Sequence, residues 1–196
     1  MTSLRRLAPL ALALGLAAGT SGCGYNQIQT LDENAAKAKQ QISVQLQRRA
    51  DLIPNVVSTV QGFASHETEV FTAVADARSK LAGAIPTGDL SQMAAASQQL
   101  NGALGRLLAI SENYPQLKSN ENFLQLQDQL EGTENRIAVA RTDYNTAVNA
   151  YNTYIRKFPQ VLTAKVMGMK ARDYYELADA SAAAAPKVSF PSEKKP

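Results

Sequence analysis

Apolar residues recur at spacings of three and four along most of this 196-residue chain, which is the periodicity of amphipathic helix. The first stripe runs from Ile28 through Ala35, Ile42, Leu46, Ile53 and Val60 to Leu81, with Lys37, Gln41, Gln45, Ser58, Glu69 and Asp76 on the opposite face. A single helix of that length spans roughly 80 Å at about 1.5 Å per residue. Pro54 interrupts it. Proline inside a helix removes one backbone hydrogen bond and clashes with the carbonyl four residues earlier, here that of Ala50. The stripe keeps phase through Pro54, which predicts a kink within one element; a break there is the alternative.

Glycine and proline mark residues 83–88 as a loop. Asp89 follows as an N-cap, with Gln92 in capping-box position, and opens a second helix whose inner face carries Leu90, Met93, Leu100, Leu104 and Leu107 and which ends near Asn113. Tyr114-Pro115 is the next turn, because a residue before proline avoids helical geometry. The third helix has the cleanest period. Phe123, Leu130, Ile137, Tyr144, Tyr151 and Phe158 fall seven apart, and Leu126, Thr133, Ala140, Ala147 and Tyr154 fill the second seam position. Such a sustained heptad predicts long helices packed at shallow angles. Pro159 stops or bends this helix, a short helical or loop segment follows over Val161–Met169, and the Ala-, Pro- and Lys-rich residues 181–196 read as a flexible tail. No stretch alternates apolar and polar residues as a half-buried strand does. The pattern predicts an all-α fold: an elongated antiparallel bundle of three long helices plus a short C-terminal helix.

Ahead of the bundle stand Arg5 and Arg6, an apolar run from Leu7 to Ala18, and Thr20-Ser21-Gly22-Cys23-Gly24. That order is the order of a secretory signal, and about twelve apolar residues fall short of the roughly 20 that span a bilayer. A cysteine at the junction resembles the lipobox of bacterial lipoproteins, with Thr20 where Leu is usual. The organisation is thus a lipoprotein-type signal over 1–22, a helical bundle over 23–180 and the tail. An ordinary cleaved signal and a retained anchor are the alternatives. Of 20 basic residues two leave with the signal, so 18 face 17 acidic ones. Those charges are interspersed, and a nucleic-acid partner, which needs a clustered basic face, is not expected. Cys23 is the only cysteine, so disulfides within the chain are excluded.

Candidate chemistry is sparse. His66 is the sole histidine, and Val70 stands where a zinc-binding helix needs its second imidazole. With one His and one Cys, no metal site, no catalytic residues and no cofactor are expected. The densest polar feature is the run 47–55, from which Arg48, Arg49, Asp51, Pro54 and Asn55 form a candidate partner-binding notch: a kink frees a carbonyl beside two arginines and a carboxylate. The competing reading is structural, with Arg48 and Asp51 paired on the surface and Asn55 bonding the freed carbonyl. Tyr144, Tyr151 and Tyr154, at helical spacing, read as core or core edge.

Laid out in order, several motifs resemble the LemA family of bacterial envelope proteins. They are Gly24-Tyr25-Asn26, the run Leu46 to Asn55, Val60 to Glu67, Leu107 to Lys118, Leu130 to Ile137, Arg141 to Asn145, Tyr151-Asn152, Phe158-Pro159 and Ala185 to Phe190. The resemblance covers Tyr25 to Phe190. It implies a long antiparallel helical bundle, membrane anchoring and no established enzymatic activity. Family members are often anchored by a single N-terminal helix, whereas this chain carries the lipobox-like Cys23. The function expected is that of a non-enzymatic, lipid-anchored envelope protein that presents its bundle to another envelope protein. Its setting is a membrane facing the periplasm or exterior, and Gly24 in place of the retention signal Asp favours the outer membrane over the inner. The alternative is a membrane-shaping scaffold built by self-assembly into homo-oligomers, which exposed apolar strips on adjacent helices would favour. A substrate-binding protein or enzyme is the third reading, and would need an enclosed polar pocket.

Overall fold

The computed structural model describes the backbone of residues 3–176 and the side chains of residues 24–176. The side chain of Cys23 and the tail assigned to 181–196 lie outside the described residues. Every regular element among the described residues is helical: α1 (Ser3–Gln61), α2 (Thr68–Ala84), α3 (Leu90–Ile110), α4 (Pro115–Lys118), α5 (Glu121–Tyr154) and α6 (Gln160–Val166). Short 3₁₀ turns at Ile85–Thr87 and Ser111–Asn113 join them.

The all-α class agrees with the heptad and 3.6-residue patterns, but the count of three long helices does not. The stripe from Ile28 to Leu81 is two helices, and the break falls at residues 62–67 and not at Pro54. Gly62, weak in helix interiors by about 1 kcal/mol relative to Ala, leads the chain out, and the amides of Phe63 and Ala64 both bond the Val60 carbonyl, at 3.0 and 2.9 Å. Periodicity hid the break because Ala64, in the turn itself, is still buried at a position the stripe assigns to the core. α1 runs on through Pro54 as helix. The Ala50 carbonyl that proline leaves without its helical donor accepts from Arg78 Nε of α2 at 3.0 Å. In one straight helix those two residues would stand about 42 Å apart, so this bond alone requires α2 to fold back along α1.

At the α2–α3 corner Gly88 takes a left-handed φ of 66°, a conformation that costs glycine little. Asp89 caps α3 as predicted, Oδ1 accepting from the amides of Ser91 at 2.8 Å and Gln92 at 3.1 Å. The capping box is altered: Gln92 Nε2 donates to the Asp89 carboxylate at 3.1 Å, and the Asp89 amide donates to Thr87 Oγ1 at 3.1 Å. Asn120 caps α5 through Phe123 N at 3.1 Å.

α1 and α5 form an antiparallel spine. Arg49 meets Glu134 near its middle, and Ile28 meets Tyr151 nearer the start of α1. The α2–α3 hairpin covers the far half of this pair, and α6 with an extended segment over 167–176 closes the near half. One core unites Ile42, Ile53, Leu81, Met93, Leu107 and Ile137, all 1% exposed or less. A smaller one at the near end holds Ile28, Tyr151, Ile155 and Ala164. The predicted seam is inward-facing from Phe123 to Tyr151, but Phe158, its last member, is 80% exposed because α5 ends at Tyr154. From Gly24 to Gln61 the spine measures roughly 57 Å at about 1.5 Å per residue, shorter than the rod the unbroken stripe implied.

Candidate functional site

The five notch residues divide between two faces of α1. Arg48, Asp51, Pro54 and Asn55 are exposed, whereas Arg49 is buried. Position 49 lies on the side that meets α5, where the guanidinium forms an ion pair with Glu134. Burial lowers the Arg49 pKa, and Glu134 offsets this only in part. Its Nε is buried with no hydrogen-bond partner. Arg48 and Asp51 form no ion pair; Asp51 accepts from Gln47 Nε2 at 2.8 Å. The freed Ala50 carbonyl is taken by Arg78 and not by Asn55. The residues therefore do not converge on one ligand: Arg49 belongs to the helix–helix interface and the other four to a solvated face. His66 is exposed in the 62–67 turn, and the described residues contain no group of three His, Cys, Asp or Glu side chains placed to hold a metal.

The most elaborate polar construction lies elsewhere, where the extended segment 167–176 runs back along α5. Gly168, at φ 67°, turns the chain out of α6 and into this strap. Asn152 Nδ2 donates to the Arg172 carbonyl and Asn152 Oδ1 accepts from the Arg172 amide, both at 2.8 Å. Asn145 repeats the arrangement on Tyr175, at 3.1 and 2.8 Å. A carboxamide offers one donor and one acceptor side by side, so each asparagine pairs with the strap as a neighbouring strand would. The register follows from geometry. Seven helical residues rise about 10.5 Å, and three extended residues span about 10 Å, so a heptad on α5 matches a three-residue step on the strap. Tyr144 and Tyr151 use the same step, donating to the carbonyls of Asp173 at 2.8 Å and Lys170 at 3.1 Å.

Two side chains lock the strap across the bundle. Arg172 forms a bidentate pair with Asp32 of α1, at 2.6 and 2.9 Å, and its hydrogen bond to that carboxylate raises its pKa against the cost of burial. Tyr175 is buried with the Arg141 guanidinium 5.0 Å from its ring centroid, and burial raises its phenol pKa. Neither the strap nor its clamp was foreseen. The available signal was the dipeptide Tyr-Asn at 144–145 and again at 151–152, in which an amide repeats beside a core tyrosine at the same heptad step. An open groove of about 920 Å³ runs beside the strap, bordered by Lys39, Arg156 and Arg172 and equally by Asp89, Asp173 and Glu176. Its balanced charge selects for neither anion nor cation.

Comparison with known proteins agrees with this architecture of motifs. The chain is 29% identical over 177 residues to two proteins of Paramagnetospirillum magneticum named Magnetosome protein MamQ 1 and MamQ 2, over 78% of this chain and 64% of theirs. It is 27% identical to Magnetosome protein MamQ of Magnetospirillum gryphiswaldense, over 77% of this chain and 64% of that one. The chain thus spans 64% of the length of these relatives. The model of the LemA family matches residues 38–190, a region that takes in the arginine pair of α1, the α2–α3 hairpin, the whole of α5 and the strap. The chain belongs to the LemA family.

Proposed function

We propose that this protein is a non-enzymatic envelope component, tethered to a membrane at Cys23, that holds a helical rod out to engage another envelope protein. The observation that carries this reading is the position of Gly24. It lies one residue past Cys23, at the start of the bundle, where a Cβ built on it would stand 3.5 Å from Gln160 Cγ of α6. Packing begins at once with Ile28, which is fully buried. A tether at Cys23 therefore joins the membrane to the rod without a linker, and the far turn at 62–67 stands roughly 57 Å away along α1 at about 1.5 Å per residue. Two or three acyl chains on one cysteine suffice for stable anchoring.

Partner binding is favoured over lateral scaffolding by the character of the shaft. Among the described residues of α1 and α5 the exposed large apolar side chains are Val44, Leu124 and Val139, one on α1 and two on α5 fifteen residues apart, so neither helix carries a continuous strip for side-by-side association. The test is fractionation of cells expressing the Cys23→Ser chain, coupled to crosslinking of intact cells. Release of that variant from the membrane fraction, or accumulation of an uncleaved precursor without acyl labelling, is expected, together with discrete hetero-crosslinks to the parent. Normal maturation and membrane retention of Cys23→Ser overturns lipid anchoring, and crosslinks solely between copies of the chain overturn the partner reading.

A further inference from the structure

Of nine large apolar side chains exposed on the described residues, four fall within ten consecutive positions: Phe158 at 80%, Leu162 at 56%, Val166 at 83% and Met167 at 53%. Clusters of this kind on a folded surface mark contact sites. Leu162 and Val166 are four apart on α6 and so stack on one side, as i and i+4 positions do, and Phe158 is exposed in the turn that leads into α6. The opposite side of α6 is spent on the bundle: Ala164 is 4% exposed and packs with Ile28, Tyr151 and Ile155. The outward stripe therefore has no counterpart within the described fold.

Charge tells what covers it. Between Asp143 and Asp173 the chain has five basic residues, Arg156, Lys157, Lys165, Lys170 and Arg172, and no acidic one. Arg172 is held by Asp32 and Arg156 Nε donates to the Asn152 carbonyl at 2.7 Å, whereas Lys157, Lys165 and Lys170 are exposed and flank the apolar positions along the chain. An apolar face rimmed by Lys and Arg is the composition of elements that lie in the headgroup region of an anionic bilayer. The location agrees. α6 packs on α1 at the level of Gly24, with Gln160 against that residue, so the patch sits beside the residue next to the proposed tether.

We propose that Phe158, Leu162, Val166 and Met167 insert into the interfacial layer of the membrane while Lys157, Lys165 and Lys170 engage anionic phospholipid headgroups, seating the rod on the bilayer at a fixed orientation. This rests on the membrane-tethered reading above and deepens it, because a tether alone leaves the rod free to pivot.

The experiment uses the full chain in its native membranes, with a photoreactive diazirine residue at position 162 or 166. A control probe at position 139, which is 60% exposed on the shaft, sits about 22 Å by helical rise from Tyr154, where α5 ends. After illumination, adducts are identified by mass spectrometry. Phospholipid adducts at 162 and 166 are expected to exceed those at 139 by about ten-fold, given the shallow depth such elements reach. Combining Lys157→Gln, Lys165→Gln and Lys170→Gln should lower the ratio of anionic to zwitterionic lipid adducts at 166 a few-fold. These three are exposed, so an unchanged melting curve verifies that the fold is kept. Adducts to a protein at 162 and 166, or lipid adducts no more frequent than at 139, overturn the seat. The two readings fail separately. Lipid adducts together with a Cys23→Ser chain that matures normally and stays membrane-bound with no loss of acyl labelling sink the lipid anchor alone, and protein adducts with normal acylation sink the seat alone.

Discussion

The pair formed by Arg49 and Glu134 supports an asymmetric prediction that a surface notch would not. The Arg49 side chain is 8% exposed and that of Glu134 is 37% exposed. Losing one partner of a fully buried pair costs about 3–5 kcal/mol, because the remaining charge is stranded. Glu134→Gln strands the guanidinium, and since solvent reaches the carboxylate side of the pair, the cost is discounted to about 2 kcal/mol. Arg49→Met strands only a carboxylate that can rehydrate. It keeps the apolar stem, removes a buried Nε that has no acceptor, and relieves the desolvation that lowers the Arg49 pKa. Its effect should stay within about 1 kcal/mol of the parent. Arg49→Ala also loses the packed stem and should fall between the two. The chain has no Trp, so urea unfolding is best followed by far-UV circular dichroism. An Arg49→Met variant less stable than Glu134→Gln would refute the reasoning, since the ion pair would then contribute more than its burial costs.

The strap gives a second test: Asn152→Ala deletes both bonds to the Arg172 main chain, so hydrogen exchange at the Arg172 amide should accelerate by about ten-fold to a hundred-fold, at roughly 1 kcal/mol per bond. Unchanged protection there would mean that Asp32, Tyr144, Tyr151 and Asn145 hold the segment without Asn152. A third concerns alkaline pH. Burial raises the pKa of Tyr144, Tyr151 and Tyr175 above the ordinary value of 10.0, so the folded state keeps these protons where the unfolded chain loses them. Stability should be intact below about pH 10 and decline as pH rises through the folded values. Urea midpoints measured beside a tyrosinate absorbance titration check this, and Tyr175→Phe, which removes a buried hydroxyl without a partner, should weaken the decline. A midpoint flat through the tyrosine titration would contradict it.

Which features were legible in the chain follows from what each depends on. Seam positions such as Leu130 and Ile137 are buried because apolar side chains at a helical period have only one face to hide, and that information is local. The Asp89 and Asn120 caps are local as well. The turn at 62–67 was not legible, since Ala64 satisfies the same burial in a turn as in a helix, and only the reversal of α2 against Ala50 distinguishes the two. Arg49 was misassigned for a related reason. Within Gln47-Arg48-Arg49-Ala50-Asp51 polarity alone does not say which arginine looks inward. Position 49 falls one turn from Leu46 and Ile53, on the side that meets α5, and a carboxylate 85 residues away makes that burial tolerable.

The strap was hidden by the opposite circumstance. Asn145 and Asn152 bind its main chain, so the segment 170–175 needs no periodicity of its own, and the determinants of its path are written in α5. That division has a mechanical consequence at the near end of the rod. Below the α2–α3 hairpin the spine is only α1 and α5, packed directly through Ile28 and Tyr151, and α6 and the strap brace that pair, through Ala164 against Ile28 and through Arg172 against Asp32. Leu162 and Val166 of the apolar stripe are carried by α6 itself, and Phe158 by the turn that leads into it. A membrane that seats on this stripe thus bears on the parts that close the near end of the rod. Binding the bilayer and holding α1 to α5 then become coupled: stabilising either favours the other by the same free energy.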